Sequence, residues 1–302
     1  MLDRGAREAE NAGDHAVALH LLERALRITP DNVDFLSRAV CAQYALGDAS
    51  GALGFCENAV ARFADRDPGY VLMCLLAELR TPGPDYRENL RAIHARIVPR
   101  TYVEIGVETG ESLVLVRPGT IAVGIDPAPG VLYELPPTTM LAKQTSDEFF
   151  AQNRIAGFLG ELPIDLAFID GMHLFEHVLR DFINCERHCT VESSILLDDC
   201  WPLDARTASR ERVTQFWNGD VWRMIPALRK HRTDLRIHTI ATSPAGLCVI
   251  RGLDPNSRVL ADRYDEIVRE FREFDYATFE RDRDAYLNPC PNDAESLARI
   301  LS

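Results

Sequence analysis

From residue 100 onward the chain repeats one pattern, and that pattern constrains the fold more than any single motif. Short apolar runs, TYVEIG (101–106), IAVGID (121–126), TMLAKQ (139–144), IDLAFID (164–170), SSILLDD (193–199), LRIHTIAT (235–242) and GLCVIRG (246–252), are separated by stretches with helical spacing. A run that is apolar on both sides must be covered on both sides. Strands of this kind alternating with helices therefore predict an α/β fold: a Rossmann-like, mostly parallel sheet with helices on both faces. In such sheets ligands sit beyond the C-terminal ends of the strands, so chemistry is expected there.

The first eighty residues follow a different rule. They read as helix throughout, and they repeat: Gly13-Asp14 recurs as Gly47-Asp48, a shift of 34, which also carries Ala18-Leu19 onto Ala52-Leu53 and Ala25-Leu26 onto Ala59-Val60. Small residues at these places let antiparallel helices approach closely, and Gly-Asp supplies the turn. Pro30-Asp31-Asn32 ends one unit and caps the next. The period and pattern resemble the tetratricopeptide repeat, with about two units and a further helix around Tyr70 to Leu79. Such repeats imply a protein partner or self-association, and hence a homo-oligomer; the plainer alternative is that so few repeats only cap the next domain or build a dimer. The expected division is 1–82 all-α repeats, 83–254 an α/β domain entered through the linker RTPGPDY (80–86), and 255–302 a C-terminal helical extension in which 262–286 reads as one acidic amphipathic helix with an apolar stripe of Tyr264, Ile267, Val268, Phe271 and Phe274.

Charge narrows the partners. With 33 basic and 46 acidic residues the formal charge is −13, and no basic patch stands out, so a nucleic acid partner is not expected. No window approaches the roughly 18 apolar residues that cross a bilayer, and no signal-like segment opens the chain, so a cytoplasmic protein without a membrane partner is expected. Eight cysteines are scattered without C-x-x-C pairs, which suits reduced, buried thiols. Cys185 and Cys189, with His188 between them, read as packing rather than as a metal site.

At the strand ends the residue types become specific. The first strand runs into Glu104-x-Gly106-x-x-x-Gly110-x-Ser112, which is not the G-x-G-x-x-G of dinucleotide binding. The second ends in Asp126, where an acid would take the hydroxyls of a ribose. After the third come Thr145, Ser146 and Asp147, able to cap a helix and, for Ser146, to contact a purine. The fourth ends in Asp170 and the fifth in Asp198-Asp199. Hard oxygen donors converging at a sheet rim suit Mg²⁺ better than zinc, and without a cation they would repel one another.

Together the strand-end acid, the spaced glycines and the ribose acid resemble class I S-adenosylmethionine (SAM)-dependent methyltransferases. That resemblance implies SAM as cofactor, held by Glu104, Gly106, Gly110, Ser112, Asp126 and Ser146. Asp170-x-x-His173 followed by Asp198-Asp199 resembles the macrocin O-methyltransferase group of sugar methyltransferases, and its acid spacing is similar to that of catechol O-methyltransferase. The resemblance implies Mg²⁺ on Asp170, Asp198 and Asp199, a small-molecule acceptor with adjacent hydroxyls such as a glycoside or natural-product intermediate, and His173 as the base. Histidine titrates near neutrality and can take a proton from an activated hydroxyl.

Two alternatives compete. The stretch His173-Leu174-Phe175-Glu176-His177 is also H-x-x-E-H, a zinc peptidase string, but that chemistry needs both histidines on one helix face, whereas His173 is expected in the loop after a strand. Alternatively the repeats recruit a partner, and the second domain only binds cofactor or methylates a protein. Trp217 and Trp222, flanking Gly219-Asp220, are read either as a substrate wall or as core, with Asp220 capping the helix that follows.

Overall fold

The structure, a computed structural model, describes residues 1–64 and 66–302. The chain divides into two compact units: Met1–Pro82 together with Arg212–Trp217, and Gly83–Glu211 together with Asn218–Ser302.

Among the described residues the first unit holds five helices: α1 (Leu2–Asn11), α2 (His15–Leu26), α3 (Val33–Ala45), α4 (Ala49–Ala61) and α5 (Tyr70–Arg80). Each packs on the next. The 34-residue echo has a structural counterpart, because Asp14 accepts from Val17 N at 3.1 Å to cap α2 and Asp48 accepts from Gly51 N at 2.9 Å to cap α4. Asn32 caps α3 in the same way, through Phe35 N. The repeated alanines Ala18, Ala25, Ala52 and Ala59 are all buried, which lets the helices approach closely. The segment Arg212–Trp217 lies in this unit: Gln215 N donates to Asp67 Oδ2 at 2.8 Å, and the Phe216 and Tyr70 rings are 6.0 Å apart.

The second unit is built on one eight-stranded sheet, with β1 (Thr101–Ile105), β2 (Ile121–Ile125), β3 (Thr139–Ala142), β4 (Ile164–Ile169), β5 (Cys189–Leu197), β6 (Arg236–Ile240), β7 (Leu247–Arg251) and β8 (Pro289–Cys290) in the order β3-β2-β1-β4-β5-β7-β6-β8. Six of the seven apolar runs contain a whole strand, and SSILLDD holds the last five residues of β5. The first five strands in that order pair in parallel, β7 is antiparallel to β5 and to β6, and β8 runs parallel to β6. This is the mixed α/β architecture expected, with helices on both faces.

The helices that matter for the site are α6 (Tyr86–Ile97) before β1, α7 (Ser146–Ala151) and α8 (Ile155–Leu159) between β3 and β4, α9 (Phe175–Glu186) after β4, and α10 (Met224–His231) before β6. Alternation along the strands feeds two cores. Val103, Ile105, Ala167 and Ile169 point to one face, where α9 and α10 bring Phe175, Phe182 and Ile225. Tyr102, Leu166 and Phe168 point to the other, where α6 and the C-terminal helix Ala294–Ile300 bring Leu90, Ile93, Leu297 and Ile300. Helix α6 starts in a capping box between Asp85 and Glu88, within the stretch read as a linker. Cys185 and Cys189 are buried in the first core, and all eight cysteines are free thiols.

The C-terminal stretch does not form one amphipathic helix. It breaks into Val259–Asp262, Tyr264–Arg272, Tyr276–Arg281 and Arg283–Leu287, with Asp275 capping the third of these through Thr278 N. The apolar stripe still turns inward: Ile267 and Phe271 are buried, and Tyr264, Val268 and Phe274 pack against the same core. Among the described residues no helix is long and apolar enough to cross a membrane.

Candidate functional site

Strands β2, β1, β4 and β5 end side by side, and their backbone ladder continues one residue further. Gly106 N donates to Ile125 O at 3.0 Å, Asp170 N to Ile105 O at 2.8 Å and Asp198 N to Ile169 O at 3.2 Å. Asp126, Gly106, Asp170 and Asp198 are thereby lined up along one edge. The gap between β1 and β4 is also where successive strands begin to be laid down on opposite sides, the switch point at which open α/β sheets bind ligands.

The loop after β1 is tied down from two sides. Asp126 accepts from Val107 N (2.9 Å), Glu108 N (3.1 Å) and Ala128 N (2.7 Å), so in this structure its carboxylate is spent on holding the loop. Gly106 has φ +86°, and a Cβ there would lie 2.1 Å from the carbonyl oxygen of Asp170; the close approach of β1 and β4 alone requires glycine. A Cβ on Gly110 would lie 3.1 Å from Val131 Cγ1. Beneath the loop Glu104 is fully buried and accepts from Tyr102 Oη (2.6 Å) and Ser112 Oγ (2.8 Å). Burial raises its carboxyl to about 8, against the two hydroxyls. The Ser112 hydroxyl is thus turned to Glu104. Further along, Thr145 caps α7 in a capping box with Glu148, and Ser146 is the first residue of that helix.

Asp170, His173 and Asp199 form the tightest cluster, with one ligand atom from each lying within 4.8 Å of the others. His173 Nδ1 is 2.8 Å from Asp199 Oδ2, and Nε2 is 3.4 Å from Asp170 Oδ1. Burial opposes charge on the imidazole, but the Asp199 carboxylate and the bonds to both acids outweigh it and hold His173 well above the ordinary histidine range. Burial, then the charge of Asp199, pushes Asp170 up to about 6. Asp198 stands beside this trio rather than in it. It is buried, its Oδ1 meets no donor among the described residues, and burial followed by the charges of Asp170 and Asp199 raises it strongly. The carboxylates of Asp170 and Asp199 and the adjacent buried Asp198 Oδ1, which has no donor among the described residues, make an oxygen donor set that suits Mg²⁺ or Mn²⁺.

The backbone here is strained. Met172 (φ 58°), His173 (φ 48°) and Asp199 (φ 58°) are non-glycine residues in the left-handed region. Each costs on the order of 1–3 kcal/mol and persists only where the surroundings enforce it. The tripeptide Asn218-Gly219-Asp220 supplies that enforcement. Asn218 Nδ2 donates to Asp199 Oδ1 at 2.7 Å, Gly219 lies flat against the His173 carbonyl, and Asp220 N donates to the same carbonyl at 3.1 Å. Asp220 Oδ1 also accepts from Phe175 N at 2.7 Å. Asp220 therefore caps α9 across the fold, and not the helical turn Val221–Arg223 that follows it, which has no side-chain cap. Its buried charge is met by Arg210 (2.6 Å) and Arg223 (2.9 Å).

The same network disposes of the zinc string. Glu176 pairs with Arg210 at 2.8 Å, His177 Nδ1 accepts from Arg180 at 2.9 Å, and His173 lies in the turn before α9, so the two histidines do not share a helix face. Trp222 is core: its Nε1 donates to Ala208 O and its ring packs 4.6 Å from that of Phe279. Trp217 belongs to the first unit, with the Arg212 guanidinium 5.8 Å from its ring. Asn218 and Arg210 carried no motif in the sequence. The one available signal was Asn-Gly-Asp itself, a turn tripeptide between two tryptophans.

Residues 103–200 match a family model described as a methyltransferase domain. No curated protein matches the chain. Among solved structures it is similar to cofactor-bound Rv0187 from MTB, with 16% identity over 60% of this chain and 86% of that one and a TM-score of 0.44. It is similar also to the O-methyltransferase TomG from Streptomyces achromogenes, involved in tomaymycin synthesis and solved with SAM, with 14% identity, coverage of 59% and 85% and a TM-score of 0.41. A third is the O-methyltransferase from Bacillus cereus in complex with SAH, with 15% identity, coverage of 66% and 90% and a TM-score of 0.41.

Proposed function

We propose that the second unit is a SAM-dependent, Mg²⁺-dependent O-methyltransferase acting on a small molecule with adjacent hydroxyls, such as a glycoside or natural-product intermediate. The observation that carries the reading is the Asp170–His173–Asp199 cluster at the strand edge, inside the stretch that matches the methyltransferase-domain model. The strand edge beside Gly106, Gly110 and Asp126 is where SAM would lie. Asp170 and Asp199, with Asp198 adjacent, would hold the cation. When bound, Mg²⁺ supplies Lewis acidity toward an acceptor hydroxyl and positive charge that meets the carboxylates now drawn to His173.

The chain's own part is proton handling and alignment. His173, released from its two carboxylates, accepts the proton of the acceptor hydroxyl. SAM would supply the methyl group, and the acceptor oxygen would have to be held in line with its methyl–sulfur bond, a matter of positioning. Gly106 and the Asp126-tied loop fix the floor on which the methyl donor is oriented. The first unit is read as tetratricopeptide-like repeats serving self-association or a protein partner in the cytoplasm; the repeated caps and buried alanines support that reading.

A panel of catechols, flavonoids and glycosides incubated with SAM, in Mg²⁺ or in EDTA, and read by mass spectrometry tests the proposal. A methyl-mass gain on a vicinal-diol acceptor in Mg²⁺, lost in EDTA, is expected. Equal transfer in both would remove the metal from the mechanism.

A further inference from the structure

We propose that Asn218 is a positioning residue of the site: its side-chain amide turns the Asp199 carboxylate so that Oδ2 faces the His173 imidazole. The inference rests on the reading of this strand edge as the reaction centre. The geometry is a relay of three side chains, with Asn218 Nδ2 to Asp199 Oδ1 at 2.7 Å and Asp199 Oδ2 to His173 Nδ1 at 2.8 Å. A carboxylate rotates easily about its last torsion, so pinning one oxygen decides where the other points.

Asn218 is itself held. It is 2% exposed, its backbone N donates to Thr207 O at 3.0 Å, and the next residue is jammed against the His173 carbonyl. Its Oδ1 has no donor among the described residues, so the bond to Asp199 is the side chain's one polar tie there. Residue type fits the task. An aspartate at 218 would set a second carboxylate against Asp199, and an alanine would leave Asp199 Oδ1 buried without a donor. Asn218 acts through Asp199 and is not itself assigned a contact with substrate.

The test is nitrogen NMR of the His173 imidazole in the intact chain, assigned by its loss in His173→Ala, with Mn²⁺ affinity by electron paramagnetic resonance as a second readout. In Asn218→Ala the Nδ1 signal should shift away from its wild-type, carboxylate-bonded position, and Mn²⁺ affinity should fall about 10–100-fold. SAM affinity should stay within about twofold of wild type, because Asn218 lies outside the glycine loop. If Asn218→Ala does not fold, Asn218→Leu removes the donor at nearly constant shape and should give the same shift. An imidazole signal unchanged from wild type in the folded variant overturns the proposal. A shifted signal in a protein whose wild type binds no Mn²⁺ would sustain the positioning role while removing the metal from the proposed function.

Discussion

Replacing Gly219 by alanine should displace the turn that carries His173. The residue has φ +62°, and an added Cβ would stand 1.8 Å from the His173 carbonyl oxygen and 2.8 Å from its carbon, where real Cβ contacts essentially never fall below 3.0 Å. One side must therefore move by more than about 1 Å in a region packed like a crystal. The carbonyl cannot yield without giving up its bond from Asp220 N. About 1–2 kcal/mol for an L-residue in the left-handed region, about 1–3 for overpacking and about 1 for the lost bond give a destabilisation of roughly 3–6 kcal/mol. Gly119→Ala is the control: φ is +92°, but no atom lies within 4 Å of its added Cβ, so only the conformational cost of about 1–2 kcal/mol remains. Urea unfolding of both variants measures the gap. Costs equal to within about 0.5 kcal/mol would refute the claim that Gly219 is required by its contact with His173.

Two further predictions follow from buried titratable groups. Glu104 is raised to about 8 by burial, so the fold retains a proton that the unfolded chain releases above about 4.5. Wild-type stability relative to Glu104→Gln, which stays neutral, should be greatest below about pH 4.5 and decline between about pH 4.5 and 8, by roughly 5 kcal/mol in all; parallel stability curves for the two proteins would contradict this. His94 is buried with both ring nitrogens unpartnered among the described residues, packs edge-on against Tyr102 at 4.7 Å, and is lowered to about 4 by burial. Its contribution is present above about pH 6.5 and lost as pH falls toward 4, so His94→Phe, which keeps the ring, should gain stability over wild type in that window. A constant difference between pH 7 and pH 4.5 in urea titrations would rule the effect out.

Why some of this was legible in the sequence and some was not follows from the range of the interactions involved. The seven strands could be read because a strand covered on both faces is a continuous apolar run, and Asp126, Asp170 and Asp199 could be placed because a strand end is a local event. Strand β8, two residues long, exists only because Pro289 and Cys290 find β6. The C-terminal helix looked continuous because its apolar stripe is continuous, yet local caps such as Asp275 break it. Asn218 and Asp220 act on Asp199 and Phe175, 19 and 45 residues away in sequence, and nothing in the spacing announces those bonds. Side-chain allegiance was equally hidden. The Ser112 hydroxyl turns to Glu104, a pairing that depends on how β1 packs beneath its loop.

The most direct test of the proposed function needs no acceptor. Calorimetric titration of SAM into the intact protein should show one site per chain, and binding should weaken at least tenfold in Asp126→Ala, which frees the loop held through Val107 and Glu108. Absence of SAM binding by the folded wild-type protein would contradict the assignment of this strand edge to methyl transfer.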